Sequence, residues 1–131
     1  MTIEHKTRED VEKALSEGNK DFMYWDLSDE NLYDLDLSDA NFKGANLSGA
    51  NLSFVNLRHA YFEDTNLEDA NLQNANLFDA NFSYANLENA ILLNANLGRI
   101  RFRNANLEGA LICKGWVIQK EKKKRKKKSS V

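Results

Sequence analysis

The 131-residue sequence predicts an all-β solenoid of about five 20-residue coils, and three observations support this fold class. An apolar residue recurs at every fifth position from Phe22 to Val117 without a gap. The Phe residues among these positions lie 20 residues apart. A small residue, usually Ala, stands two positions before most of them. Proline is absent, so every residue after the first can donate its amide to a backbone ladder.

The period of five fits neither the 3.6-residue turn of an α-helix nor the two-residue alternation of a β-strand. The chain must therefore turn once in each repeat, and the 20-residue spacing of Phe makes four repeats one coil. Equivalent positions of successive coils should stack about 4.8 Å apart, which gives a rod of about 24 Å. We expect the aromatic rings to form one structural core column, which consists of Phe22, Phe42, Phe62, Phe82 and Phe102.

The most regular stretches are residues 40–52 (ANFKGANLSGANL) and residues 70–82 (ANLQNANLFDANF). They resemble the A-(D/N)-L-x-x signature of pentapeptide repeat proteins, and the resemblance covers about residues 20–119. It implies a right-handed quadrilateral β-helix in which the central Leu or Phe and the preceding Ala point inward. It also implies that dimerisation through the C-terminal end is an option, because that mode is known in the family.

Residues 1–19 predict a short capping α-helix. Thr7 can cap its N-terminus, Asp10 stands at the capping-box position, and Gly18 suits its end. We expect the helix to cover the first coil, whose open edge would otherwise pair with other chains. The apolar face that would make this contact consists of Val11, Ala14 and Leu15.

Few residues could support catalysis. His5 and His59 are the only histidines, and Cys113 is the only cysteine. We expect His59 to be a solvated surface residue, because no Ser, Cys or carboxylate is placed near it by the register. We expect Cys113 to be a partly buried terminal residue. No phosphate-binding loop or zinc motif occurs, so the sequence predicts a protein that is not an enzyme and has no cofactor, metal or small-molecule substrate.

The net charge of −2 divides into an acidic body and a basic C-terminal segment. Residues 120–128 carry eight basic residues and one acidic residue, whereas the rest of the chain carries 10 basic and 19 acidic residues. We expect the tail, residues 120–131, to be disordered. Four roles stay open for it: a solubilising tail, a nuclear-localisation signal, which the segment KKKRK resembles, a tether to non-specific nucleic acid or an anionic membrane, and a segment that folds back onto the acidic body.

One predicted face, around Leu27, Leu47, Leu67, Leu87 and Leu107, carries acidic residues and no basic residue. It is either an ordinary solvated face or a docking face for a cationic partner. The family resemblance adds an alternative, a DNA-mimicking modulator of a topoisomerase or another DNA-binding enzyme. Duplex DNA of about 24 Å carries about 14 phosphates, many more than this face offers. The candidate acidic docking residues are Asp26, Asp29, Glu68, Asp69, Glu88 and Glu108.

The C-terminal end combines an apolar patch with basic residues. Either this segment folds over the last coil, or two chains meet there as a symmetric homodimer. The candidate dimer or capping residues are Ile91, Leu93, Leu111, Cys113, Trp116 and Ile118. The candidate anion-binding residues are Arg99, Arg101, Arg103, Lys122, Lys123, Lys124, Arg125, Lys126, Lys127 and Lys128.

Taken with the chain's organisation into residues 1–19, 20–119 and 120–131, these patterns predict a non-catalytic protein-binding or scaffold module. Its protein partner is unknown. The N-terminus has no apolar signal-peptide core, so we expect a cytoplasmic protein.

Overall fold

The architecture comes from a computed structural model that describes residues 3–113 and 116–117. One helix, α1 (Arg8–Ser16), precedes a body of short parallel pairings, and two short strands, β1 (Leu111–Cys113) and β2 (Trp116–Val117), follow it. Within the described residues, no helix is long and apolar enough to cross a membrane.

The body is built by pairing residues that lie 20 apart in the sequence. Parallel bridges of this spacing run from residue 21 to residue 111. The amide of Phe42 donates to the carbonyl of Tyr61 in the next coil at 2.8 Å, and the amide of Asn41 donates to the carbonyl of Lys20 in the preceding coil at 2.9 Å. Each inner coil is therefore bonded to a coil on both sides.

The turn in each repeat has two recurring causes. The side chain of the Asn or Asp before the central apolar residue accepts a hydrogen bond from the amide two residues later, as Asn46 does from Ser48 at 3.0 Å. The residue two positions after the centre has a positive φ, for example 61° at Asp69 and 60° at Asn74. Asn, Asp and Gly reach this conformation most readily, so the polar composition of the repeat follows from its turn.

The interior is filled by the central Leu and Phe residues and the small residues before them, most of which are fully buried. The five Phe rings form one row, with neighbouring centroids 4.5 to 5.7 Å apart. Phe102 is only partly buried, because it belongs to the last coil that the structure describes. Thr65 replaces Ala inside the body, and its hydroxyl donates to the carbonyl of Phe42 at 2.8 Å, so no buried polar group is left unpaired there.

The N-terminal helix has the predicted cap. The Thr7 side chain accepts from the amide of Asp10, and the Asp10 carboxylate accepts from the amide of Thr7 at 2.8 Å. Val11 and Ala14 are buried in the same core as the coils. The predicted capping helix is confirmed, and tertiary packing rather than length holds this short element in place.

Charged side chains bond the carbonyl groups at the N-terminal edge of the body. The guanidinium Nη1 of Arg8 donates to the carbonyl oxygens of Asn31 at 3.1 Å and Tyr33 at 3.0 Å. Lys20 Nζ donates to the carbonyl of Ser38 at 2.7 Å. In later coils the corresponding carbonyls accept backbone amides of the preceding coil. The two cations therefore occupy an edge that could otherwise pair with another chain.

On one face of the C-terminal edge, β1 pairs with the following strand of the same chain. β2 runs antiparallel to β1, with Leu111 opposite Val117 and Cys113 opposite Trp116. At residues 116–117 the chain therefore pairs antiparallel with β1 instead of in the parallel register of the body. An inner coil is held from both sides, whereas among the described residues the last coil has a neighbouring coil on one side only.

The other faces of the last coil differ from those of the coil before it. In the preceding coil, three central amides donate to carbonyls one coil further on, namely those of Leu77, Phe82 and Leu87. In the last coil, the equivalent amides have no backbone partner among the described residues, and they belong to Leu97, Phe102 and Leu107. The side chains of these three residues are only partly buried.

His5 fastens an extended N-terminal segment onto the first coil. The amide of Lys6 donates to the carbonyl of Asp26 at 2.7 Å. His5 Nε2 lies 2.9 Å from a Glu30 carboxylate oxygen, and His5 Nδ1 lies 3.6 Å from a carboxylate oxygen of Asp26. The hydrogen bond to Glu30, with the contacts to Asp26, raises the pKa of His5 above its ordinary value. Only the protonated ring can donate from both nitrogens.

We predict that this N-terminal attachment weakens as the pH rises through the raised pKa of His5. A raised histidine pKa contributes stability that is complete below the unfolded-state pKa and is lost above the folded-state pKa. Amide exchange of Lys6, corrected for intrinsic exchange, should therefore become faster relative to that of Phe62 across this range. In His5→Gln the pH dependence should disappear, and an unchanged dependence in that variant would show that His5 does not cause it.

Candidate interaction surfaces

The acidic face separates into two groups. At its N-terminal end Asp26 is engaged, because its carboxylate accepts from the amide and hydroxyl of Ser28 at 3.1 and 2.8 Å and contacts His5. The hydrogen bonds from Ser28 lower the pKa of Asp26. Asp29 is exposed nearby. The next coil has Asn46 and Gly49 at the positions equivalent to Asp26 and Asp29, so no carboxylate continues the face there.

The second acidic group is a continuous column. Asn66, Asn86 and Asn106 are bridged in successive coils, and the residues two positions later are all Glu. None of these glutamates forms an ion pair with a described residue. The buried Oε2 of the last glutamate has no hydrogen-bond partner among the described residues. This column consists of Glu68, Glu88 and Glu108, and exposed Asp69 lies beside it.

The apolar C-terminal patch lies where β1 meets the end of the body. Ile91 bridges Leu111 in parallel, and both side chains are partly buried, as is Leu93. Cys113 is exposed, so the expectation of a partly buried thiol is wrong: its position at the edge of the last coil leaves its outward side uncovered. The backbone of Trp116 lies in β2, and Ile118 falls outside the described residues.

Some of the candidate anion-binding residues lie in the described body, and the others lie in the tail outside it. Arg99, Arg101 and Arg103 are exposed on the last coil. Arg101 Nη2 donates to the carbonyl of Asp79 at 3.4 Å, and Arg99 Nε lies 3.9 Å from its carboxylate. The predicted disordered tail and its candidate residues fall outside the described residues: Lys122, Lys123, Lys124, Arg125, Lys126, Lys127 and Lys128.

His59 lies at the surface as expected, but the expectation that no carboxylate lies near it is wrong. Its Nδ1 lies 2.8 Å from an Asp79 carboxylate oxygen, because residues 59 and 79 occupy equivalent positions of successive coils. Arg58 Nε donates to His59 Nε2 at 3.2 Å, which places the ring proton on Nδ1, toward Asp79. This hydrogen bond from His59, with the nearby guanidinium of Arg99, lowers the pKa of Asp79. Among the described residues, no three His, Cys, Asp or Glu side chains are placed to hold a metal ion.

Phe78 is an aromatic residue that the sequence interpretation overlooked. It occupies an outward position on a face of the body, and two guanidinium groups pack against its ring. The Arg58 guanidinium carbon lies 4.8 Å from the ring centroid, and that of Arg99 lies 5.9 Å from it. The signal was available, because the five-residue register places residue 78 outward and residue 58 directly before it in the same column.

Five further aromatic side chains were missed, and each is about half exposed. Tyr33 and Phe54 contact each other edge to face, with centroids 5.7 Å apart. These residues could have been found from the sequence, because the five-residue register places each of them outward. The complete set, with exposed fractions from 45% to 56%, is Tyr24, Tyr33, Phe54, Tyr61 and Tyr84.

The repeat geometry agrees with comparisons to known proteins. A family model described as a pentapeptide repeat region matches residues 35–112, more than half of the chain. The chain belongs to the pentapeptide repeat family. Members of this family fold as right-handed quadrilateral β-helices.

Solved pentapeptide repeat structures resemble this chain. Rfr23 from the cyanobacterium Cyanothece 51142 is 37% identical, with a TM-score of 0.69 over 71% of this chain and 64% of Rfr23. HetL from Nostoc sp. strain PCC 7120, which is involved in heterocyst differentiation regulation, is 28% identical, with a TM-score of 0.61 over 75% of this chain and 53% of HetL. The chain therefore spans less than two thirds of either protein. No curated protein matches it.

A third similar structure comes from a plant. A pentapeptide repeat protein of the Arabidopsis thaliana thylakoid lumen is 29% identical, with a TM-score of 0.56 over 86% of this chain and 72% of that protein. The shared feature of these structures is the repeat fold itself.

Several bulky side chains of this pentapeptide repeat protein stand where the turn requires a positive φ. Tyr24, Phe54 and Tyr84 have φ values of 63°, 61° and 63°. Apart from His59 and Arg99, the other repeats have Asp, Asn or Gly at this position, which adopt the conformation at lower cost. A left-handed backbone at a bulky residue costs on the order of 1 kcal/mol, and such strain is typical of functional positions. These aromatic residues therefore need an explanation other than the turn.

We predict that Tyr84→Asn raises the free energy of unfolding by about 0.5–1 kcal/mol, because Asn relieves the strained backbone at a half-exposed position. Equilibrium urea unfolding measures the change. The reciprocal control is Asn94→Tyr, at a position with φ of 61°, which should lose stability by a similar amount. A lower stability of Tyr84→Asn would contradict the argument, since it would mean that the phenol ring stabilises the fold.

Proposed function

We propose that this protein is a non-catalytic module that binds a partner protein on the outer faces of a rod of about five 20-residue coils. The observation that supports it best is the pair Tyr33 and Phe54. Both rings are exposed, they contact each other at a centroid distance of 5.7 Å, and they stand on a body held by backbone ladders. Aromatic side chains of this kind are enriched at the centres of protein interfaces.

The filled interior favours binding at the surface. The central Leu residues and the small residues that precede them are buried along most of the body, and the Phe rings stack through its length. A ligand that entered this interior would have to displace packed side chains, at several kcal/mol for each large residue. Recognition on the outer columns avoids this cost.

The charge distribution favours a binding module over a DNA mimic. Duplex DNA of the same length would present about 14 phosphates. The acidic face offers six carboxylates, and that of Asp26 is already bonded to Ser28 and His5. The column formed by Glu68, Glu88 and Glu108 suits instead a limited contact with a cationic surface of the partner.

Two further properties belong to the proposal. Homodimerisation through the C-terminal end is supported by Leu97, Phe102 and Leu107, whose side chains are only partly buried in the last coil. Segment 120–128, with eight basic residues, would tether the module to nucleic acid or to an anionic membrane. We place the protein in the cytoplasm in this proposal.

Site-specific cross-linking tests the binding function. A photoreactive p-benzoyl-phenylalanine in place of Phe54 should cross-link a partner protein in cells. The same group in place of Asn94, which is exposed in the same outward column two coils away, is the matched control. Preferential cross-linking at position 54 is expected. Equal yields at the two positions, or no cross-linked protein at either, would contradict a docking site at Tyr33 and Phe54.

Removal of residues 120–131 tests the tether. The truncated chain should lose binding to phosphatidylserine vesicles and to DNA, because each basic residue near an anionic surface contributes about 1 kcal/mol. Sedimentation equilibrium of the same two proteins should show a dimer in both. Negligible vesicle and DNA binding by the full chain would remove the tether from the proposal, and a monomer in both cases would remove the dimer.

A further inference from the structure

We propose that the corner formed by Arg58, Phe78 and Arg99 binds a short acidic segment of a partner protein. Arg58 and Phe78 hold equivalent positions in successive coils. Arg99 lies in the coil after Phe78, one residue beyond the equivalent position, which Gly98 occupies. The inference rests on the proposed function, since it names the chemistry of a partner. It concerns a surface separate from the pair formed by Tyr33 and Phe54.

The two guanidinium groups are fixed without using most of their donors. The Phe78 ring supports the Arg58 guanidinium at 4.8 Å and the Arg99 guanidinium at 5.9 Å. Arg58 also donates from Nε to His59 at 3.2 Å. The Nη groups of both arginines have no hydrogen-bond partner among the described residues. Planar N–H groups held in this way match the two oxygens of a carboxylate.

The charge at this corner is positive. Its one carboxylate, that of Asp79, is bonded to His59 at 2.8 Å and lies 3.9 Å from Arg99. Arg101 Nη2 donates to the backbone carbonyl of Asp79 at 3.4 Å, which brings a third guanidinium to the same place. Three guanidinium groups therefore face one carboxylate that already has partners. The surplus positive charge is complementary to an acidic segment.

Two neighbouring positions depart from the usual repeat residues, and each departure makes room for the corner or adds a guanidinium group to it. Gly98 lies below the Phe78 ring, and a Cβ atom there would come within 2.8 Å of ring atom Cδ1. Arg99 adopts a φ of 54°, although the same column has Asp39 and Asp79 in earlier coils. A bulky residue in this conformation is strained. Since the turn itself does not need Phe78 or Arg99, a ligand explains their presence.

A short acidic segment fits better than nucleic acid. The aromatic ring is already stacked by guanidinium groups, so it offers little surface on which a base could stack. A long polyanion would also extend beyond the corner toward carboxylates at Asp39, Glu63 and Asp64. A segment of a few Asp or Glu residues confined to the corner would avoid this repulsion.

The test uses the full chain and a fluorescein-labelled peptide of eight glutamates, with binding followed by anisotropy at about 0.15 M salt. In Arg58→Gln/Arg99→Gln the affinity should fall about tenfold, because two charge-assisted bidentate contacts are lost. The matched control, Lys13→Gln/Lys43→Gln, removes the same charge outside the corner and should change the affinity less than twofold. Segment 120–128 is present in every variant, so its non-specific contribution is common to all.

Side-chain readouts locate the site. On addition of the peptide, the Nε–H resonances of Arg58 and Arg99 should shift. The variant Phe78→Leu keeps all charges, and it should weaken binding about threefold because the guanidinium groups lose the ring that supports them. Equal affinities in the two double variants, or unshifted arginine resonances, would overturn the proposal. The same double variant is tested with a 20-nucleotide single-stranded DNA. If Arg58→Gln/Arg99→Gln weakens DNA binding as strongly as peptide binding, the acidic-segment proposal is overturned in favour of nucleic acid.

The test is independent of the cross-linking experiment. If position 54 cross-links a partner while the peptide shows no preference for the corner, the binding function stands and the acidic segment is ruled out. If the peptide binds the corner while position 54 gives no cross-link, the corner is the docking surface and the Tyr33–Phe54 site is ruled out.

Discussion

The backbone ladder between residues 20 apart is the constraint on which the rest of this structure depends. Amides of one coil donate to carbonyls of the next, as Leu47 does to Asn66 at 2.7 Å and Leu67 does to Asn86 at 2.7 Å. Each side chain therefore lies beside the side chains 20 residues before and after it. A surface residue has vertical neighbours as well as sequence neighbours, and the vertical ones decide its contacts.

Stacking of equivalent positions has different consequences inside and outside the body. Inside, identical residues pack well, as the parallel Phe42, Phe62 and Phe82 rings do, with interplanar angles of 5°. Outside, amide side chains stack favourably because each is donor and acceptor, as in the bond from Asn106 to Asn86 at 3.1 Å. Equal charges about 4.8 Å apart repel each other. A column of three glutamates is therefore a cost to the fold, whereas the alternation of Arg58, Phe78 and Gly98 is not.

The repeat period allows the interior to be predicted from sequence. The 20-residue spacing of Phe and the five-residue spacing of the apolar centres are the spacings at which the backbone ladder stacks the coils. The capping box at Thr7 is equally local. The contact between His59 and Asp79 follows from the same 20-residue rule, but it requires each surface residue to be compared with its vertical neighbours. The hydrogen bonds of Arg8 at the first coil and the antiparallel pairing of β2 with β1 follow no period, because they lie at the two ends of the stacking that the structure describes.

The outer corners link this fold to the binding function that we propose. Each coil contacts only its neighbours, so a strained corner lowers stability locally and leaves the ladder intact. Tyr24, Phe54, His59, Tyr84 and Arg99 all adopt a positive φ that Asp, Asn or Gly accepts more easily. Two of these residues, His59 and Arg99, belong to the positively charged corner, and Phe54 belongs to the exposed aromatic pair. The places where the chain departs from its most stable repeat are thus the places where it presents the side chains best suited to a partner.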